Sequence, residues 1–108
     1  MGLTKTEEFT KTQNELALWA KALGHPARIA ILQFLVKSKS CMCGDIVDEL
    51  PLSQSTVSQH LKELKNVGLI KGSIDGPSVC YCIDEKAWAK AKTALALLFD
   101  SFQEQDCC

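Results

Sequence analysis

Apolar positions recur along most of the chain with a helical period, and breaker residues divide that pattern into separate elements. Phe9, Leu16, Trp19, Ala20 and Leu23 form one stripe, which predicts a first helix. Thr4 or Thr6 can cap it, Glu7 and Glu8 suit its first turn, and Gly24 closes it. Pro26 then opens a second helix, at a position where its missing N–H costs nothing. Ile29, Ile31, Leu32, Phe34, Leu35 and Val36 lie on most sides of that helix, and a helix apolar nearly all round belongs in the core. Residues 37–40 read as a polar link.

The next stretch reads as two helices joined by a tight corner. Ile46, Val47 and Leu50 make a short apolar pattern that Pro51 ends. Ser53 is a good N-cap for the helix that follows. Val57, Leu61 and Leu64 give that helix a buried stripe, while Gln54, Ser55, Thr56, Ser58, Gln59, His60 and Lys62 make a polar side. Gly68 ends it as a C′ glycine does, and Leu69 can fold back over its last turn. Two β-prone runs follow, separated by Asp75-Gly76-Pro77-Ser78, and predict a hairpin. Val79, Tyr81 and Ile83 share its inward face, and Cys80 and Cys82 share the other.

Asp84 caps a last helix in which Trp88, Ala91, Leu95, Leu98 and Phe102 are spaced three, four, three, four. Ala87, Ala94 and Leu97 make a second apolar set beside them. One small domain does not easily bury both sets, so the helix is expected to pack against its copy in a second subunit, together with the first helix. The fold class is therefore mainly α with a small β-hairpin: a winged helix-turn-helix, dimeric through its N- and C-terminal helices. The chain reads as one domain over 1–108, with the helix-turn-helix at 44–68, the wing at 69–83, a dimerisation helix at 84–102 and a tail at 103–108.

Composition changes this picture in two places. The net charge of −1 does not advertise nucleic-acid binding, but Lys62, Lys65 and Lys71 face only Glu63 around the second helix of the pair, while Asp100, Glu104 and Asp106 collect at the far end. Six cysteines in 108 residues are an excess. The polar, acidic N-terminal stretch does not resemble a signal peptide, and no apolar run approaches the roughly 20 residues of a membrane span. A cytoplasmic protein with no membrane partner is expected, its thiols reduced for metal, metalloid or redox chemistry. Neither C-x-x-C nor a phosphate-cradling loop beside a βαβ unit is present, which argues against an enzyme.

Leu23-Gly24-His25-Pro26 with Arg28, the run from Ser55 to Leu64, and Gly68-Leu69-Ile70 together closely resemble the ArsR/SmtB family of metal- and metalloid-responsive repressors. That resemblance covers nearly the whole chain. It implies a dimeric winged helix that represses a promoter by binding operator DNA until an inducer binds, with no resident cofactor. Base contacts then fall to Gln54, Ser55, Ser58, Gln59 and His60, since glutamine can pair bidentately with adenine and serine is permissive. Thr56, Lys62, Lys65 and Lys71 suit phosphate contacts. A dimer should bind half-sites about 10 base pairs apart or a multiple of that. The wing tip carries no arginine for a minor groove, a departure from the family pattern.

The resemblance also implies where an inducer binds. One family site uses Asp and His on the last helix, and this last helix has no His. Another is a C-x-C-x-x-C thiolate cluster at the start of the helix-turn-helix, binding arsenite or antimonite. Cys41 and Cys43 match its first two positions, and Ile46 stands at the third. Residues two apart point to opposite sides of a helix but the same side of an extended segment, so chelation by both favours non-helical backbone there. A third sulfur for a trigonal As(III) site could come from Cys107 or Cys108 of either chain, and a two-thiolate site would suit a monosubstituted arsenical. Cys80 and Cys82 form a secondary candidate pair. Soft thiolates also accept Cd(II), Pb(II), Zn(II) or Cu(I). Two other readings stay open: a repressor of the same fold that responds to thiol oxidation, and a thiol-rich metal buffer with no DNA role.

Overall fold

The computed structural model describes residues 6–38, 42–43, 50–73 and 80–104. A 3-10 turn at Thr6–Glu8 precedes helix α1, Lys11–Leu23. Thr10 is the cap, in place of the expected Thr4 or Thr6. Its hydroxyl accepts from the Gln13 N–H (3.1 Å), and the Gln13 side chain accepts from the Thr10 N–H (3.0 Å), a reciprocal box that satisfies two orphan donors. Trp19 and Ala22 are buried, Leu16 and Leu23 partly so, while Phe9 and Ala20 are exposed.

Pro26 opens α2, Pro26–Ser38, as expected. This helix is buried on one face instead of all round: Ile31, Leu32 and Leu35 are core, while Ile29 and Val36 are exposed. The expected polar link begins later too, because Lys37 and Ser38 complete the last turn of α2. The first helix of the predicted pair, with Ile46 and Val47, and the turn at residues 75–78 lie outside the described residues. So does Val79.

Helix α3, Gln54–Asn66, follows the sequence closely. The Ser53 hydroxyl accepts from the Thr56 N–H (3.3 Å). Val57, Leu61 and Leu64 are buried. At its end Gly68 adopts φ 85°, its N–H donates to the Lys65 carbonyl (2.9 Å), and the Leu69 N–H donates to the Leu64 carbonyl (3.1 Å). These two bonds make a Schellman motif and carry Leu69 into the core.

Strand β1 is Met42–Cys43, β2 is Ile70–Ser73 and β3 is Cys80–Ile83. The order is β1-β3-β2, all antiparallel. The expected two-stranded wing thus gains a third short strand from the segment ahead of the helix-turn-helix. Gly72 has φ 120° and sits opposite Tyr81. A Cβ there would run into the Cys80 carbonyl oxygen and the Tyr81 Cα, so only glycine fits. Tyr81 and Ile70 seal the sheet against α2 and α3.

Asp84 caps α4, Glu85–Asp100, accepting from the Ala87 N–H (3.1 Å). Lys90 of α4 reaches Glu15 of α1 (3.2 Å). The early part of α4 packs inward through Trp88, Ala91 and Ala94. Its far end does not: Leu97, Leu98 and Phe99 are exposed, as is Phe102 just beyond it. No helix among the described residues is long and apolar enough to cross a membrane.

Candidate nucleic-acid interface and thiol cluster

The leading end of α3 presents Gln54, Ser55 and Thr56 to solvent, with Gln59, Lys62 and Lys65 further along; Ser58 is half-buried. Lys71 is exposed on β2. The cap orders the first turn, because the Ser53 hydroxyl also bonds the Thr56 hydroxyl (2.9 Å) and the Ser55 hydroxyl (3.3 Å). One helical turn on, the Gln59 side-chain amide donates to Glu63 (3.3 Å), which presets its orientation along the helix. The arrangement is a rigid helix with a short polar edge of amides and hydroxyls, flanked by lysines. Such an edge can hydrogen-bond base edges, and the lysines can neutralise phosphates.

His60 departs from that edge. By residue type His60 suits a DNA contact, but its side chain is buried at 7 % exposure. Arg28 Nε on α2 donates to His60 Nδ1 (3.1 Å), and the same guanidinium donates to the Ala22 carbonyl (3.3 Å). The rings of His25 and His60 stand 4.4 Å apart, tilted by 55°. His25 Nδ1 in turn accepts from the Ala27 N–H (3.1 Å) at the start of α2. Burial pushes the His60 pKa below the ordinary imidazole range; His25 and Arg28 push it the same way, and Glu63 opposes them. The ring is therefore held neutral, with Nδ1 free of a proton so that it can accept from Arg28. His60 is a fastener between α2 and α3, and Arg28 is its unforeseen partner. A periodic signal for both existed. His60 stands three residues after Val57 and four before Leu64, and Arg28 stands three before Ile31 and seven before Leu35, each on a buried stripe.

The thiols fall into two groups. Cys41, Cys107 and Cys108 lie outside the described residues. Cys43 lies on extended backbone in β1, and its register partner is Cys80 on β3. Cys80 and Cys82 are half-buried on either side of the buried Tyr81, on the face away from the core as the sequence alternation predicts. Each of the two is disulfide-bonded. Cys43 and Cys80, far apart in sequence, are therefore neighbours in the β1–β3 ladder, a juxtaposition set by the sheet order. Among the described side chains, no group of three or more His, Cys, Asp or Glu is gathered as a metal site.

Residues 25–71 match the model of the arsR family of bacterial regulatory proteins. An uncharacterised HTH-type transcriptional regulator of Methanocaldococcus jannaschii is 40 % identical over 68 residues, 61 % of this chain and 75 % of that one. The HTH-type transcriptional regulator YgaV of Escherichia coli is 31 % identical over 85 residues, 79 % of this chain and 86 % of its own. The SmtB repressor of Mycobacterium tuberculosis is 44 % identical over 61 residues, which span 56 % of this chain and 44 % of that one. In fold, the chain superimposes on an ArsR-like regulator from Rhodococcus with a TM-score of 0.67 at 23 % identity, covering 85 % of this chain and 86 % of the other. With a winged helix, a polar reading edge on α3 and this likeness, the chain belongs to the ArsR family of transcriptional regulators.

Proposed function

We propose that the protein is a homodimeric repressor that binds operator DNA through α3 and is released when a thiophilic inducer binds its cysteine thiolates. The inducer class is trivalent arsenic or antimony, with soft cations such as Cd(II), Pb(II) and Zn(II) as competitors for the same sulfurs. The observation that carries the reading is the two-sided character of α3: Val57, His60, Leu61 and Leu64 fix it to the core, and Gln54, Ser55, Thr56 and Gln59 stay exposed and ordered. A helix fastened that firmly has no structural need for so many amides and hydroxyls at its leading end. The unpartnered apolar end of α4 supports the dimer, because Leu97, Leu98, Phe99 and Phe102 lie together and exposed.

Base contacts are assigned to Gln54, Ser55, Ser58 and Gln59, and phosphate contacts to Thr56, Lys62, Lys65 and Lys71. Gln59→Ala should lower the preference for the protein's own promoter over random DNA by about 1–3 kcal/mol for the lost bidentate pair. Competition gel shifts on both DNAs measure it. An unchanged preference would remove Gln59 from the reading set.

A second reading has its own support. Since Cys80 and Cys82 are disulfide-bonded, thiol oxidation could be the signal on the same fold. Titrating the promoter complex with arsenite and with peroxide separates the two: release by arsenite from fully reduced protein favours the first, and release by peroxide alone favours the second.

A further inference from the structure

The inner face of α3 carries one directional contact among apolar ones. Val57, Leu61 and Leu64 hold the helix to the core by burial, which by itself fixes neither rotation nor slide. His60 lies on the same face, and its contact with Arg28 does fix them, because a hydrogen bond demands distance and alignment together. Arg28 Nε donates to His60 Nδ1 (3.1 Å) from the first turn of α2. The same guanidinium donates through Nη1 to the Ala22 carbonyl (3.3 Å), in the last turn of α1. One side chain thus ties three helices. His25, exposed ahead of α2, lays its ring 4.4 Å from that of His60, and its Nδ1 accepts from the Ala27 N–H (3.1 Å). His60 directly follows Ser58 and Gln59, so the anchor and the polar reading edge share one helical turn. Glu63 stands between them: it accepts from the Gln59 amide (3.3 Å) and acts on His60 as well.

We propose that Arg28 and His60 are positioning residues for DNA reading: while His60 is neutral their contact holds α3 in the orientation that discriminates promoter sequence, and protonation of His60 releases it. This rests on the reading of α3 as the helix that contacts DNA, and it is independent of the inducer. Nδ1 accepts the Arg28 bond only while it carries no proton. A proton there turns the acceptor into a donor and sets an imidazolium against a guanidinium, so the bond is lost and the two side chains repel. Among the described residues, the ionisable groups that act on His60 are His25 ahead of α2, Arg28 on α2 and Glu63 on α3 itself. Burial, His25 and Arg28 favour the neutral ring, and Glu63 favours the charged one. A charged His60 therefore draws on the carboxylate that orients Gln59. Protonation loosens α3 from α2 and competes for the hydrogen bond that sets a base-reading side chain.

The sign of the effect follows from which form reads. Neutral His60 is the reading form, so promoter affinity falls as pH drops below about 6.5, the ordinary imidazole value, and passes through the depressed value of the folded chain. By reciprocity, promoter binding in that window favours the neutral ring and releases a proton. Random DNA is held through its phosphates by lysines and needs no fixed orientation of α3, so its affinity does not follow the same curve. The contact thus acts on discrimination between promoter and random DNA, while Val57, Leu61 and Leu64 keep the helix on the core.

The test measures the affinity of the full chain for its own promoter and for random DNA of equal length between about pH 8 and 5, the range in which histidine changes charge. Far-UV circular dichroism at each pH confirms that the helices persist. The expected result is a fall in the promoter-to-random ratio of about 5- to 150-fold on acidification, the usual span of a coupling between two sites. Calorimetry in buffers of different ionisation heat should show proton release on promoter binding within that window. His60→Asn keeps an uncharged acceptor for Arg28 and should retain discrimination at neutral pH while losing its pH dependence. Arg28→Lys keeps the charge but not the Nε donor or the planar fork. At the alkaline end it should already show the reduced ratio that the wild type reaches in acid, with random-DNA affinity unchanged. His25→Asn keeps an acceptor for the Ala27 N–H and should keep the pH dependence. If His60→Asn does not fold, Arg28→Lys and the proton count decide. A wild-type ratio that stays constant with pH would overturn the proposal and leave the DNA-binding reading standing. The wild-type pH curve in His60→Asn, or a wild-type ratio in Arg28→Lys, would overturn it too. Absence of promoter preference at every pH would end both.

Discussion

Helices α3 and α4 begin alike and finish differently. Each starts on an oxygen side chain that caps its third residue, Ser53 and Asp84, and each carries an apolar stripe. The stripe of α3 is consumed within its own domain, from Val57 through Leu64. That of α4 is consumed only as far as Ala94, after which Leu97, Leu98 and Phe99 face outward. The exposed side of α3 is polar, and that of α4 is apolar at its far end. An element whose apolar side is satisfied internally can offer hydrogen-bonding groups to DNA. One with apolar surface left over is suited to a second protein surface, and a homodimer supplies that surface symmetrically.

The contrast is broken most severely by equal truncations on the two helices. Leu64→Ala removes a side chain with no solvent exposure and should cost about 2–5 kcal/mol in urea denaturation. Leu97→Ala, at 67 % exposure, should change the protomer's own packing by less than about 0.5 kcal/mol and instead raise the concentration at which dimers dissociate in sedimentation. Similar costs at the two positions would erase the distinction. The hairpin between the helices is sensitive in another way. Gly72→Ala should destabilise the fold by about 1–3 kcal/mol, because it places a Cβ against Cys80 and Tyr81 at a left-handed φ. A melting temperature equal to wild type would show that β2 and β3 are not held that tightly.

Acidification probes the fastener behind α3. The folded chain holds His60 neutral, so the unfolded chain takes up the proton at higher pH. The stabilisation is complete above the usual imidazole value of about 6.5 and is lost as pH falls from there through the depressed folded value. Thermal melts across that window should show falling stability with acidification, and His60→Gln should flatten the dependence. An unchanged slope in that variant would assign the titration elsewhere. The smallest expected effect lies on the reading edge. Lys62→Ala should lower the salt dependence of DNA binding by about one unit of log–log slope, with little change in sequence preference.

Elements defined by neighbouring residues were legible in the sequence. The Ser53 cap, the stripe of Val57, Leu61 and Leu64, the Gly68-Leu69 terminus and the Asp84 cap are all local chemistry, and the chain obeys them. What escaped depends on distant partners or on competition. Thr10 prevails over earlier threonines because Gln13 can return its hydrogen bond. β1 is only two residues long, and its identity comes from Tyr81 and Cys80 far along the chain. His60 looks like a DNA contact by type, and its role is decided by Arg28 on another helix. For the candidate site, the polar edge could be read from composition, while the meeting of Cys43 with Cys80 required the sheet order.

The anisotropy of labelled promoter DNA reports whether α3 belongs to a thiol-induced operator-binding repressor. Reduced protein is bound at fixed salt and arsenite is then titrated in. The expected result is saturable binding that exceeds random DNA by about 10³-fold or more and is abolished by arsenite. Binding with no preference for the promoter, or a promoter complex indifferent to arsenite, would contradict it.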